Sequence, residues 1–197
     1  SPDGTQIAYW SDGCGEYELT LRQADGTGEE QKLTGLGPGY RYRPFWSPDG
    51  ERVAFIDHTQ TIRIYDVESG ALSEVGQTYS LLHGGRQGFE VSWSSDGRWL
   101  AYSRTLETGN GAVFLFDTES GQGHQVTSGY YSDSRPAFDP DGNYLYYLSN
   151  RTLRPVYSDL DATWVYPNTT NIVAVPLRRD VASPLAPRND EEPAGAE

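Results

Sequence analysis

The run Arg43-Pro44-Phe45-Trp46-Ser47-Pro48-Asp49-Gly50-Glu51-Arg52-Val53-Ala54-Phe55-Ile56 holds the key to this chain. An aromatic-ended segment enters a Ser-Pro-Asp-Gly corner, and an apolar, β-branched segment leaves it. Pro presets φ at the second position of such a corner, Asp bonds back to the backbone, and Gly accepts a positive φ. The corner recurs as Ser1-Pro2-Asp3-Gly4, Ser94-Ser95-Asp96-Gly97 and Asp139-Pro140-Asp141-Gly142. The Asp positions 3, 49, 96 and 141 are spaced by 46, 47 and 45 residues. A steady period of this length marks a repeat architecture.

The flanks of each corner predict strands. Glu90-Val91-Ser92-Trp93 and Arg135-Pro136-Ala137-Phe138 precede two of them. Alternating runs follow, such as Arg98-Trp99-Leu100-Ala101-Tyr102 and Asn143-Tyr144-Leu145-Tyr146-Tyr147-Leu148. Period-two patterning bounded by Gly, Pro and Asp reads as a β-hairpin. A third strand is expected at Glu18-Leu19-Thr20-Leu21, Ile62-Arg63-Ile64-Tyr65, Val113-Phe114-Leu115-Phe116 and Ile172-Val173-Ala174-Val175. A short fourth strand ends in Lys32-Leu33-Thr34 and Gln125-Val126-Thr127, with a weaker version near Leu72-Ser73-Glu74-Val75. Four strands per repeat of about 45 residues is the size of a propeller blade. A sandwich or jelly roll lacks this self-similarity. The fold class is therefore all-β, about four four-stranded blades forming an incomplete arc, with almost no helix. The repeats fall near 1–46, 47–93, 94–138 and 139–187, with an insertion over 150–169 in the last. Residues 188–197 form an acidic, Pro- and Gly-containing linker or tail.

The formal net charge of -13 disfavours a nucleic-acid backbone as partner. No apolar run approaches the length of a membrane helix, so no membrane partner is expected. A single cysteine, Cys14, excludes an internal disulfide framework and fits a reducing, cytoplasmic compartment. The chain opens inside a corner motif without a preceding strand, which reads as a fragment of a longer protein.

Catalytic constellations are not found. His58, His83 and His124 belong to different repeats and read as loop or surface histidines, and no Gly-x-Ser-x-Gly elbow is present. The segment Asp12-Gly13-Cys14-Gly15-Glu16 faintly resembles a carboxylate Ca²⁺ loop but lacks alternating oxygen ligands. Gly35-Leu36-Gly37-Pro38-Gly39 lacks the Lys-Ser/Thr of a phosphate loop. No cofactor or metal is therefore expected. The recurrent Asp3, Asp49, Asp96 and Asp141 read as turn formers, because paired-carboxylate catalysis needs two such groups within about 5–10 Å. The innermost strand of each blade lines a propeller's channel, and these strands hold Arg41, Arg43, Glu90, Asp133 and Arg135. A mixed-charge lining of this kind is able to contact passing peptides. The alternative is that these residues solvate the wall or pair between blades. Tyr157, Trp164 and Tyr166 in the insertion are too many aromatics for a free loop: either they pack over the neighbouring blade or, the favoured reading, they form an interface with further modules.

The repeat resembles the β-propellers of TolB-like and tricorn-like proteins: an aromatic, Ser-Pro-Asp-Gly, an Ile/Leu-Ala-Phe/Tyr strand and a Leu-Thr ending. The fourth repeat, from Ser134-Arg135-Pro136 through Tyr144-Leu145-Tyr146-Tyr147-Leu148-Ser149-Asn150-Arg151 to Val175-Pro176-Leu177-Arg178, is similar to the second propeller of tricorn-like serine peptidases. Ser95 departs from that pattern where Pro is usual, and Cys14 stands where a small polar or basic residue is usual. The resemblance implies a non-catalytic portion of a serine peptidase that acts as scaffold and peptide passage. The propeller in that family is larger, about seven blades. The implied partners are the remaining blades and catalytic modules, peptides, and further copies of the parent in a homo-oligomer. The rival readings are a TolB-like interaction propeller and a fragment that self-associates through open blade edges.

Overall fold

The computed structural model describes residues 1–79, 88–151 and 170–186. Their strands are β1 (Gln6–Ser11), β2 (Glu18–Gln23), β3 (Gln31–Lys32), β4 (Arg41–Trp46), β5 (Arg52–Asp57), β6 (Thr61–Asp66) and β7 (Leu72–Gln77). They continue as β8 (Val91–Trp93), β9 (Trp99–Thr105), β10 (Gly111–Asp117), β11 (Gln122–Gln125), β12 (Asp133–Phe138), β13 (Tyr144–Ser149) and β14 (Asn171–Pro176). Among the described residues there is no α-helix. The strands make four antiparallel sheets, β1-β2-β3, β4-β5-β6-β7, β8-β9-β10-β11 and β12-β13-β14. This is an all-β, incomplete β-propeller whose sheets are its blades.

Three separate hydrophobic clusters fill the spaces between successive blades. The first joins Trp10 and Leu19 to Val53, Phe55 and Tyr65. The second joins Ala54, Ile56, Ile62 and Ile64 to Leu100, Tyr102, Ala112 and Phe114. The third joins Ala101 and Val113 to Leu145 and Tyr147. The strand period explains the division. Successive side chains of a strand leave opposite faces, so Val53 and Phe55 enter one seam while Ala54 and Ile56 enter the next. Both faces of β5 are covered, and its residues from Val53 to Asp57 are all buried. Aromatic geometry reinforces the seams: Trp10 meets Phe55 edge-on at 4.9 Å between ring centroids.

The corners are built from one repeated set of bonds. Ser47 Oγ donates to Asp49 Oδ1 at 2.5 Å and accepts from Arg52 N at 2.9 Å. Asp49 Oδ1 also accepts from Glu51 N at 2.9 Å, and Gly50 N donates to Ser47 O at 3.0 Å. Ser94 and Asp96 repeat the arrangement without the proline, and Ser1 and Asp3 repeat it with Pro2 in place. In the fourth corner Asp139 takes the serine's place and accepts from Asn143 N at 3.1 Å. The corner glycines Gly4, Gly50, Gly97 and Gly142 all hold φ between 67° and 76°. The Asp3, Asp49, Asp96 and Asp139 carboxylates are thus acceptors for their own turns. The Ser1 hydroxyl and the Thr5 backbone N–H bonded to Asp3 hold its carboxyl down at about 2.

The outer strands differ from expectation. A weak fourth strand was expected in the second repeat, yet β7 spans six residues, against two in β3 and four in β11. Its face is solvated, so only Val75 is buried and the apolar alternation is lost. The Leu-Thr endings lie beyond the last ladder residues. There Thr34 Oγ1 accepts from Leu19 N at 2.9 Å, and Thr127 Oγ1 accepts from Val113 N at 3.0 Å. A hydroxyl takes over the ladder's acceptor role where the outer strand stops.

Two expected outcomes follow from this packing. Gly97 and Gly142 share a corner conformation, with φ of 70° and 67°. Nothing stands near a Cβ at Gly142, whereas one at Gly97 would run into the Asp49 carboxylate of the preceding blade, itself fixed by Ser47 and Glu51. Gly142→Ala should cost about 1–2 kcal/mol from the left-handed backbone alone, and Gly97→Ala measurably more in urea unfolding. Equal costs would show that corner-to-corner contact contributes nothing. The second outcome concerns Arg98, which grips Asp117 with both Nε and Nη2, at 3.0 and 2.9 Å. Those bonds, with further ones from Glu119 N and Ser120 Oγ, hold the Asp117 carboxyl far below the usual range. A depressed carboxylate stabilises the fold above its unfolded pKa and loses that contribution as pH falls through its folded value. Asp117→Asn should lower the urea midpoint at pH 7 and flatten its decline below pH 3.8. A decline as steep as that of the parent chain would contradict this assignment.

Candidate functional site

The inner strands β4, β8 and β12 are sheet edges, with no strand pairing on their free side among the described residues. An exposed edge invites wrong pairing, and Pro and bulges blunt it. Both devices appear here. Pro44 follows Arg43 inside a register shift between Tyr42 and Phe45, and Pro136 follows Arg135 inside one between Ser134 and Ala137. Arg135 adopts φ 52°, a left-handed conformation rare for a residue with a side chain.

The five residues expected at the channel separate into two groups. Arg43 and Glu90 are exposed and face each other from neighbouring blades, with Nη1 3.8 Å from Oε1. Arg135 is also exposed, and among the described residues no carboxylate lies within ion-pair distance of it. Arg41 is placed differently from that expectation. It is buried in the seam of the first two blades, where its Nη1 donates to the carbonyls of Tyr17, Gly37 and Gly39 at 3.2, 2.8 and 2.6 Å. Beside it Glu18 accepts from Thr34 Oγ1 and from the Leu36 and Gly37 N–H groups. Burial pushes the Glu18 carboxyl up, but these bonds and the Arg41 charge outweigh it and leave the pKa lowered. Asp133 is likewise buried, at 2% exposure, at the start of β12.

Glu90, Asp133 and Arg135 meet in one cleft of about 310 Å³ between the second, third and fourth blades. Its wall includes Phe89, Arg104 and Ser132. Arg104 escaped the sequence reading because it lies on β9, the second strand of its blade. The signal was present: Leu100, Tyr102 and Arg104 continue one face of the strand, and a cation at the end of an apolar face is out of place. Its guanidinium lies 4.1 Å over the Phe114 ring, Nη1 donates to Gln77 O at 3.4 Å, and Nε has no partner.

Two of the three histidines lie among the described residues, in different blades. His58 packs against Gly39, and His124 is exposed on β11 near Trp99. His83 and the insertion residues Tyr157, Trp164 and Tyr166 lie outside the described residues. Among the described residues no three His, Cys, Asp or Glu side chains are grouped to hold a metal ion.

Fold and site together define the class: an arc of a β-propeller with a charged inner rim. A family model described as the tricorn protease second β-propeller domain matches residues 1–197. The chain belongs to this family. It is 33% identical over 168 residues to the tricorn protease of Thermoplasma volcanium, covering 81% of this chain and 15% of that protein. It is 29% identical over 161 residues to a TolB homologue of Chlorobium luteolum, covering 80% of this chain and 34% of that protein. In structure it is similar to a tricorn protease crystal structure, with a TM-score of 0.75 at 22% identity, over 98% of this chain and 19% of the other. The chain thus spans about a sixth of the length of the tricorn relative it matches.

The contrast between the two β4 arginines is measurable. Arg41→Ala should cost about 1–3 kcal/mol, since three carbonyls lose a charged donor. Arg43→Ala should cost about 0–1 kcal/mol, the range of an exposed pair. Urea denaturation of the two variants checks the order, and a larger loss for Arg43 would reverse the assignment.

Proposed function

We propose that this arc is a non-catalytic wall of a peptide passage in a larger tricorn-type peptidase, supplying scaffold and peptide contacts while hydrolysis occurs in other modules. The carrying observation is the inner rim. Arg43, Glu90 and Arg135 occupy corresponding positions just before the corner aromatics of three successive blades, and all three are exposed. Charges of alternating sign on an edge blunted by proline suit transient contact with a chain that carries both donors and acceptors. Alternating charges also give no single-sign field that would trap one class of peptide. The outward face of the last blade, with Tyr144, Tyr146 and the 77% exposed Ile172, suits packing against the rest of the parent, whether further blades or other modules.

The test is made in the full-length parent. With Arg43→Glu and Arg135→Glu together, kcat/KM for peptides of ten or more residues, as an order-of-magnitude choice, should fall several-fold. Hydrolysis of a chromogenic dipeptide should be unchanged. Equal effects on both substrates, or none on either, would remove the passage role.

A second reading is an interaction propeller, favoured by the likeness to TolB homologues. Under it the same double variant lowers capture of a protein partner and leaves peptide turnover of every length intact.

A further inference from the structure

The cleft beneath the inner rim contains polar groups with no partners, of both signs. Asp133 is almost wholly buried, and its Oδ1 accepts no hydrogen bond. The closest cation, Arg151 Nη2, stands 3.9 Å away. Arg151 gives its hydrogen bonds elsewhere, to Ser149 Oγ and Tyr147 OH, both at 3.0 Å. Arg104 also lines the cleft, and its Nε is buried without an acceptor. Glu90 shares the lining but leans toward Arg43. Arg135 completes it, exposed, unpaired and in the left-handed region.

Each feature is costly by itself. A buried acceptor left unmade costs about 1–3 kcal/mol, more when charged, and the Arg135 backbone about 1–3 kcal/mol. Packing does not require them. Arg43, at the matching place in β4, enters its proline bulge without a positive φ. The matching place to Asp133 is Arg41, whose Nη1 has three acceptors, although its Nε is also buried without one. The tight approach of β10 fixes Asp133 further, since a Cβ at Gly111 would lie 2.6 Å from the Asp133 carbonyl. The Asp133 backbone is therefore held in place.

An anion alone would leave the Asp133 carboxylate with only Arg151 at 3.9 Å, and a cation alone would leave the exposed Arg135 unmatched. We infer that the cleft binds a small zwitterion, the free amino acid or short peptide class, with its ammonium at Asp133 and its carboxylate at Arg104 and Arg135. A volume of about 310 Å³ sits at the small end of ligand sites, which suits one or two residues. The Phe89 ring and Ile56 provide an apolar wall for a side chain. This site deepens the peptide-passage reading by giving the passage a defined resting place for a short product or a chain end.

The experiment titrates alanine, Ala-Ala, N-acetyl-Ala-Ala and Ala-Ala-amide into the 197-residue chain, followed by amide chemical shifts of Phe89, Gly111 and Ser132. Saturable shifts with alanine or Ala-Ala, weakened about tenfold or more by capping either end, are expected, as befits loss of a charged hydrogen bond. The stronger of alanine and Ala-Ala identifies the source. Asp133→Asn should remove the preference for a free amino end. Arg135→Gly should remove the preference for a free carboxylate while raising the urea midpoint, because glycine relieves the left-handed strain. That pairing of gained stability with lost binding separates a ligand role from a structural one. Equal binding of capped and free peptides, or no shift with any of them, overturns the inference. The comparison of long and short substrates in the parent would stand independently of that result.

Discussion

Face-to-face sealing of blades is the constraint on which everything else rests. A strand with water on one side needs apolar residues at every second position only. β5 and β9 have no watery side, and each sends alternate residues into two different seams. Phe55 closes the first seam and Ile56 the second; Tyr102 closes the second and Ala101 the third. A one-residue slip of either strand would exchange these sets and spoil two cores together. Register is therefore fixed from both sides. Stability is shared in series between neighbours, as in other repeat arrays.

The corners hold that register at its end. Their Ser–Asp bonds cap the turn and deliver each second strand at the same offset from its inner strand. The third corner shows which parts matter: Ser95 replaces proline, yet Ser94, Asp96 and Gly97 keep every bond. Proline limits the unfolded chain, whereas the Ser–Asp–Gly set defines the folded turn. This is why the motif was legible as structure, and why its aspartates, though regularly spaced, are not a reactive set. The central hairpins were equally legible, because burial on both faces writes apolar residues continuously. β7 was not, because an outer strand with a solvated face is held by its ladder and leaves little trace in hydrophobic pattern.

The candidate site was legible only in part, for a local reason. Arg41 and Arg43 lie two residues apart on one strand, and period two alone assigns them to one face. The bulge between Tyr42 and Phe45 breaks that rule, and the Gly37 and Gly39 carbonyls draw the Arg41 guanidinium inward. No pattern of residue types encodes the position of those carbonyls. Asp133 and Arg104 are cases of another kind. Both are ionisable residues attached to otherwise apolar or small surroundings, visible as exceptions in sequence but interpretable only once β9 and β12 are placed side by side.

The distribution of these exceptions is itself informative. Away from the inner rim, apolar residues fill the seams, the outer Thr hydroxyls complete the ladders, and the left-handed positions are held mainly by glycine. The departures include Gln60 in the β5–β6 turn, where a left-handed residue is ordinary. Within β12 they accumulate: a bulge, a left-handed arginine before proline, and a buried carboxylate with an unanswered oxygen. β4 carries the same Arg-Pro pair without a positive φ, although Arg41 Nε beside it is also buried without an acceptor. Where local rules fail together and the surrounding scaffold is rigid enough to enforce the failure, the strain is best understood as belonging to the cleft rather than to the fold.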